Sequence, residues 1–385
     1  MSAHTHRLAE GEAAFLDVLA RFCAEEIAPK AAATDETGAF VHDQLSALAG
    51  IGMMGANLPE AWGGAGISAP ALFEAVAMVA GACGSTVSAL TAHYLATDSV
   101  LIGADDELRT RILPAAAEGR ALGAFALTEP NAGSDPADMK TRATREGDGW
   151  RIKGRKCFIS NGGVADFLVV YAVTDPAAGH RGISAFVVEK GTPGLTPGRV
   201  EQTMGLRGGH VWELDLDLMV PDANRLGPEG SGFRTAMAVL DNGRIEVAAM
   251  AVGIARAALA AARDWAKSRL IGGAPLAQRQ GIQWMLADMA TDLAAAELMG
   301  HEAARQRQAL HDGTGGRFGM AASQAKLFAS EAAGRIADAA LQIHGGYGFT
   351  RDFPLERMVR DLRIMRIYEG SSEIQRNIIA GRLLA

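Results

Sequence analysis

Sulfur chemistry is scarce in this chain. Its 385 residues hold three cysteines, Cys23, Cys83 and Cys157, scattered and odd in number. No CxxC spacing occurs, so neither a disulfide framework nor a zinc site is expected, and no other metal. A basic excess is also missing. Lys+Arg 37 against Asp+Glu 44 leaves a net charge of −7, which favours solubility and argues against nucleic acid as a partner. No stretch approaches the roughly 18 uninterrupted apolar residues that a membrane span needs. The opening Met1–Arg7 lacks an apolar signal core, and Glu10 and Glu12 run against an acid-poor transit peptide. A cytoplasmic protein is the expectation.

What the chain does have is length and a change of texture along it. At 385 residues it exceeds one simple core, so two or three domains are expected. The first third is helical in pattern. Leu8 to Lys30 has apolar residues near helical spacing, with Pro29 marking its end region; shorter helices are expected over His42–Met53, Pro70–Ala82, Ser88–Gly103 and Asp105–Glu118. From about Gly123 strand-like runs take over, including Trp150–Gly154, Phe167–Val173, Ile183–Glu189 and the strictly alternating Trp212–Leu218. After Gly230 the helices return, alanine-rich and long: Gly232–Arg269, Leu276–Leu310 and Phe318–His344. Helices of that length belong in a bundle. The reading is a multi-domain α+β protein. A helical domain (1–122) precedes a β domain of two packed sheets (123–228) and a C-terminal four-helix bundle (229–385).

The segment with the most chemical content is Ile367-Tyr-Glu-Gly-Ser-Ser-Glu-Ile-Gln-Arg376. Ser372 with Gln375 three residues on reads as a capping box, so a short last helix should start there. Glu369 then sits just outside a helix N-terminus beside a flexible glycine, a way to hold one carboxylate at a fixed point. Such a group suits proton abstraction from carbon. An acid that merely complements the helix dipole from solvent is the other reading of the same residues.

Several segments, taken together and in order, resemble the acyl-CoA dehydrogenase family over essentially the whole chain. They are Phe125-Ala-Leu-Thr-Glu-Pro-Asn-Ala-Gly-Ser-Asp135, Gly154-Arg-Lys-Cys-Phe-Ile-Ser-Asn-Gly162, Met204-Gly-Leu-Arg-Gly208, Val220-Pro221, Gln342-Ile-His-Gly-Gly346 and Ile367-Tyr-Glu-Gly370. The resemblance implies FAD as cofactor and α,β-dehydrogenation of an acyl-CoA to the trans-2-enoyl-CoA. Glu369 would take the α-proton while hydride passes from the β-carbon to flavin N5. The thioester oxygen would be polarised by the Glu369 N–H and a ribityl hydroxyl.

It further implies flavin contacts at Phe125, Leu127, Thr128, Ser134, Phe158 and Ser160, although Thr128-Glu-Pro alone reads as an ordinary turn. Phe158 stands where relatives often carry tryptophan, and Ser160 where threonine is frequent. Arg269, Gln280, Gln342, Gly345 and Gly346 match the adenine end of the cofactor, with Arg269, Gln342 and the diglycine reaching a neighbouring subunit's cofactor. Ser371 and Glu373 are further cofactor candidates. Relatives usually read Arg-x-x-Phe-Gly where this chain has Arg269-Leu-Ile-Gly272-Gly273.

Ser134, Asp241, Arg244 and Gly370 match substrate contacts; the plain alternative for Asp241 and Arg244 is a helix-surface pair at i, i+3. Gly243 occupies the place of an alternative base and cannot serve as one. His93 reads as a satisfied core histidine, Glu129 and Asp135 as loop-setting acids, and His210 departs from the small residue usual there. The implied partners are an acyl-CoA, an electron-transfer flavoprotein and further copies of the chain, as a dimer of dimers. A flavin oxidase or monooxygenase, a carrier-bound acyl substrate and a catalytically silent assembly subunit are the competing readings. Short or medium acyl chains are the lean.

Overall fold

The computed structural model of the protein describes residues 8–384. Met1–Arg7, read above for targeting signals, lies outside them.

The chain begins with helices α1 (Glu10–Phe22), α2 (Ala31–Thr37), α3 (His42–Ala49), α4 (Ala69–Ala82), α5 (Gly84–Gly103) and α6 (Asp106–Ala117). Pro29 does not end the first of these outright. The backbone continues through a π turn, Cys23–Ile27, and a 3-10 turn, Ala28–Lys30, where proline takes an early position that needs no N–H bond. Helix α5 begins at Gly84, not Ser88. Its first turns are buried on every side, Ser85, Thr86 and Val87 included, so no amphipathic stripe marks its start.

Strands β1 (Gly123–Ala126), β2 (Arg142–Glu146), β3 (Gly149–Ser160), β4 (Phe167–Val173), β5 (Ile183–Glu189), β6 (Leu195–Val200) and β7 (Val211–Pro221) follow. The two packed sheets expected from the sequence are continuous in their hydrogen bonding. β4 pairs antiparallel with β5 and parallel with β1, and the pair Arg142/Val173 links it to β2. From β2 the ladder runs through β3 and β7 to β6. The sheet curls until Trp150 on β3 meets Phe186 on β5, ring centroids 5.6 Å apart. In β7 Leu214, Leu216, Leu218 and Val220 face inward, while Asp215 and Asp217 stay in water, as the alternation requires.

Helices α7 (Gly232–Ser268), α8 (Gln280–His311) and α9 (Gly319–His344) pack side by side. The short α10 (Leu355–Arg363) and α11 (Ser372–Leu383) close against α9, and α4 lies across α7 and α8. Helix α7 is long and apolar enough to cross a bilayer, yet 72% of its most apolar window is buried. It is the helix around which the others pack.

Candidate active site

Glu369 leaves a 3-10 turn, Ile364–Arg366, and enters a bend that side-chain-bearing residues avoid. Its φ is +53°, followed by +89° at Gly370. Four non-glycine residues have positive φ among those described: Phe158, Asn161, Leu206 and Glu369. All four fall inside the motifs quoted above. Strain of this kind persists where the surroundings over-determine it, and it gathers at functional sites.

The fastening of the bend differs in detail from the capping box expected. The N-cap of α11 is Ser371, whose Oγ accepts from the Ile374 N–H at 3.4 Å. Ser372 is buried and donates to Glu331 Oε1 at 2.7 Å. The box fails because Gln375 is drawn elsewhere: its Nε2 donates to the carbonyls of Glu369 (3.1 Å) and Gly370 (2.9 Å). Glu373 is exposed, and the Ser371 hydroxyl holds its carboxyl below the usual range. Ser371 and Glu373 thus both serve the start of α11.

The carboxylate of Glu369 turns inward. Its Oε2 is buried without a hydrogen-bond partner among the described residues. Burial pushes the carboxyl up to about 7, opposed by Lys326 and then Arg244. Space for it comes from Gly243. A Cβ there would lie 2.2 Å from Glu369 Oε2 and 2.8 Å from Leu95 Cδ2. The next residue, Arg244, donates through Nε to the Glu369 carbonyl at 3.4 Å and pairs with Asp241. Arg244 is only 6% exposed, so the surface-pair alternative does not describe it.

A second group of residues gathers where β1 ends. Lys156 Nζ donates to the Leu127 carbonyl at 2.9 Å and pairs with Glu129 at 2.8 Å, both side chains buried. The Cys157 N–H binds the Thr128 carbonyl at 3.0 Å. Glu129 also accepts from the Thr141 N–H at 3.1 Å, and Asp135 from the Ala137 N–H at 3.0 Å; both acids set the loop. Leu127 is a core residue, and Phe125 packs on Tyr171 with centroids 5.1 Å apart. A bulge between Lys156 and Ile159 throws Phe158 outward, 65% exposed. Among the described residues the side chains of Thr128, Ser134 and Ser160 make no hydrogen bond to the chain. A bare aromatic face next to free hydroxyls fits a flat ring system rich in acceptors.

Helix α5 joins the two groups. Asn161 Nδ2 donates to the carbonyls of Ala89 and Gly123 (2.8 and 3.2 Å), and the Gly123 N–H donates to His93 Nδ1 at 2.9 Å. Ala89 and Leu95, the latter beside Gly243 and Glu369, are about 9 Å apart along the axis of α5. Glu369 and the β1–β3 segment therefore rest on one short stretch of helix. His93 is a core histidine held down to about 4 by burial. His210 uses Nε2–H to reach the Gly38 carbonyl at 2.7 Å, tying the sheet to the first helices.

The adenine-end candidates lie elsewhere. The Arg269 guanidinium sits over Trp265 (5.8 Å) and Tyr347 (5.5 Å), next to the exposed Gln342, Gly345 and Gly346; Gln280 is exposed at the start of α8. Arg269 is about 37 Å from Arg244 along α7, and Gln342 about 24 Å from Lys326 along α9. Within one chain these residues do not join Glu369.

Two cavities flank the N-terminal part of α7 and share Arg234 and Met237. The larger, about 1040 Å³, reaches Asp241, Arg307, Arg317 and Arg382. The smaller, about 630 Å³, is bounded by His180, Arg181 and Phe233. Lys326, central to the bend, was missed from sequence, and Gln375 was read there only as a capping residue. The available signal was a lysine on the otherwise alanine-lined buried stripe Ala322, Ala325, Ala329 and Ala333 of α9.

Helices, curled sheet and helical bundle around a strained, half-buried glutamate define a dehydrogenase-type flavoprotein scaffold. The descriptions of the acyl-CoA dehydrogenase N-terminal, middle and C-terminal domains match residues 9–120, 124–219 and 230–384. The chain is 44% identical over 367 residues to an acyl-CoA dehydrogenase of Bacillus subtilis (strain 168), covering 94% of this chain and 95% of that one. Butyryl-CoA dehydrogenase from Megasphaera elsdenii superposes with a TM-score of 0.95 at 38% identity, over 99% and 100% of the two chains. A chain from the structural study of the electron transferring flavoprotein of Acidaminococcus fermentans and flavin-based electron bifurcation superposes with a TM-score of 0.95 at 37% identity, over the full length of both. The chain belongs to the acyl-CoA dehydrogenase family. It is an oxidoreductase acting on the CH–CH group of an acyl-CoA, and its family implies a flavin cofactor.

Proposed function

We propose that the protein is an FAD-dependent dehydrogenase of short acyl-CoA thioesters, with Glu369 as the α-proton base. The observation that carries this is the Glu369 carboxylate, turned inward with one oxygen unpartnered and a pKa near neutrality. A base of that strength matches the working pH. Phe158 would lie against the flavin face, with Thr128, Ser134 and Ser160 offering hydroxyls. When bound, the flavin supplies the acceptor for the hydride that leaves the β-carbon. The Glu369 N–H donates to no group among the described residues and is free to polarise a thioester oxygen.

Asp241 and Arg244 hold the bend and border the path of the CoA portion. The adjoining cavities along α7, with Arg181, Arg234, Arg317 and Arg382 on their walls, offer cationic groups for its phosphates. The lean toward a short acyl group rests on the likeness to the butyryl-CoA enzyme. Electrons would leave through an electron-transfer flavoprotein. The distance from Arg269 and Gln342 to Glu369 supports a site shared between subunits of a dimer of dimers, built from domains 1–122, 123–228 and 229–385.

The test is anaerobic mixing of the purified protein with a panel of acyl-CoAs while following flavin absorbance. Bleaching by short chains, lost in Glu369→Gln, is expected. A flavin that no acyl-CoA bleaches would overturn the reading in favour of a carrier-bound acyl group or oxygen chemistry.

A further inference from the structure

The bend at Glu369 and Gly370 exposes two carbonyls to three donors from three helices. Gln375 of α11 serves both carbonyls, and Arg244 of α7 serves Glu369. The third donor is Lys326 of α9, whose Nζ reaches the Gly370 carbonyl at 2.7 Å. Lys326 is wholly buried. An ammonium is an expensive way to hold a carbonyl, because its charge is lost to water. A neutral amide would bind that oxygen at far lower cost, so the charge itself calls for a counterpart.

The charges facing Lys326 narrow the choice. Arg244 faces it from α7 but is paired with Asp241. Glu331, on its own helix, is engaged by Ser372 and lies 3.5 Å from Arg366. Glu373 of α11 is exposed. Glu369 remains, with Glu246 of α7 a further acid that senses its charge. We propose that Lys326 is a positioning residue: it clamps the strained Glu369–Gly370 bend and its charge keeps the buried base ionised at working pH. This rests on Glu369 being the base. The two groups respond to each other as the proposal requires. Burial pulls Lys326 down to about 8, with Glu369 first among the groups that push it back up. Lys326 is first among those that lower Glu369.

The test uses the full-length protein with Lys326→Gln, which keeps a donor and drops the charge, alongside Lys326→Met and Lys326→Arg. Difference infrared spectra of each protein against its Glu369→Gln version follow that one carboxyl through pH without substrate. The titration should move to higher pH by about one unit or more in the Gln and Met variants, a tenfold change in ionisation, and return toward the parent in Lys326→Arg. The acid limb of flavin bleaching by acyl-CoA should shift by the same amount. A Lys326→Gln protein that folds and titrates like the parent overturns the proposal, even if its activity falls. Should Lys326→Met fail to fold, the Gln and Arg variants decide. Should no acyl-CoA bleach the parent, the proposed function fails while the infrared titration still decides for or against Lys326.

Discussion

At the scale of single residues the site depends on what is left out as much as on what is present. Gly243 has no side chain, and the Glu369 carboxylate occupies the space one would fill. Gly243→Ala should therefore split stability from activity. Alanine in the middle of α7 favours the helix by roughly 0.5–1 kcal/mol. The displaced carboxylate should nonetheless cost about 100-fold in kcat/KM. Thermal melting together with steady-state kinetics checks both halves, and a parallel fall in the two would refute the steric account.

The same carboxylate gives a signed pH prediction. Its folded pKa, about 7, is raised above the ordinary 4.5. Its contribution to stability is thus fully present below about 4.5 and is lost as pH rises through about 7. Glu369→Gln should melt progressively higher than the parent across that window and keep a constant advantage above it. Activity in the parent should rise over the same range, because only the ionised base works.

At the scale of elements, the β1–β3 junction hangs on a buried ion pair. Lys156 lowers the Glu129 carboxyl, although burial acts the other way, while burial draws Lys156 itself down to about 8. The pair is costly to bury and costlier to break. Lys156→Met should destabilise the protein by about 3–5 kcal/mol by stranding Glu129, and Lys156→Met with Glu129→Leu should recover much of it. Denaturant melts of the parent, the two single variants and the double variant decide, and effects that simply add would contradict the pairing. Much of this level was legible in the sequence. The alternation of Trp212–Leu218 and the alanine-rich runs after Gly230 foretold β7 and the three long helices. Helix α10 was not foreseen, although Leu355, Met358, Val359 and Leu362 stand at i, i+3, i+4 and i+7 and turn toward the core; the stripe spans only two turns behind Pro354, with charged residues between its members. Glu369, Phe158 and Thr128 were singled out through motifs, whereas Lys326 meets Gly370 across 44 residues of chain. A contact made by tertiary packing leaves only a lone charge on a buried stripe as its trace.

At the scale of the whole molecule, a long ladder of helices separates two groups that one cofactor would have to touch. Arg269 stands about 37 Å along α7 from Arg244, and the Gly345–Gly346 turn ends α9 well beyond Lys326. A second chain can bring its own Arg269 to the flavin beside the first chain's Glu369. Apolar surface suited to such contact is exposed on the C-terminal part: Leu270, Ile271, Trp284, Leu298 and Phe349 are each about half exposed or more. Flavin retention should then be tied to assembly. In sedimentation followed at both the protein and the flavin bands, colour should travel only with the oligomer and leave as dilution releases single chains. Arg269→Ala should lose flavin at protein concentrations where the parent stays yellow, while the infrared titration of Glu369 remains where it was. Colour that sediments with a single chain would place the whole cofactor within one subunit and overturn the shared site.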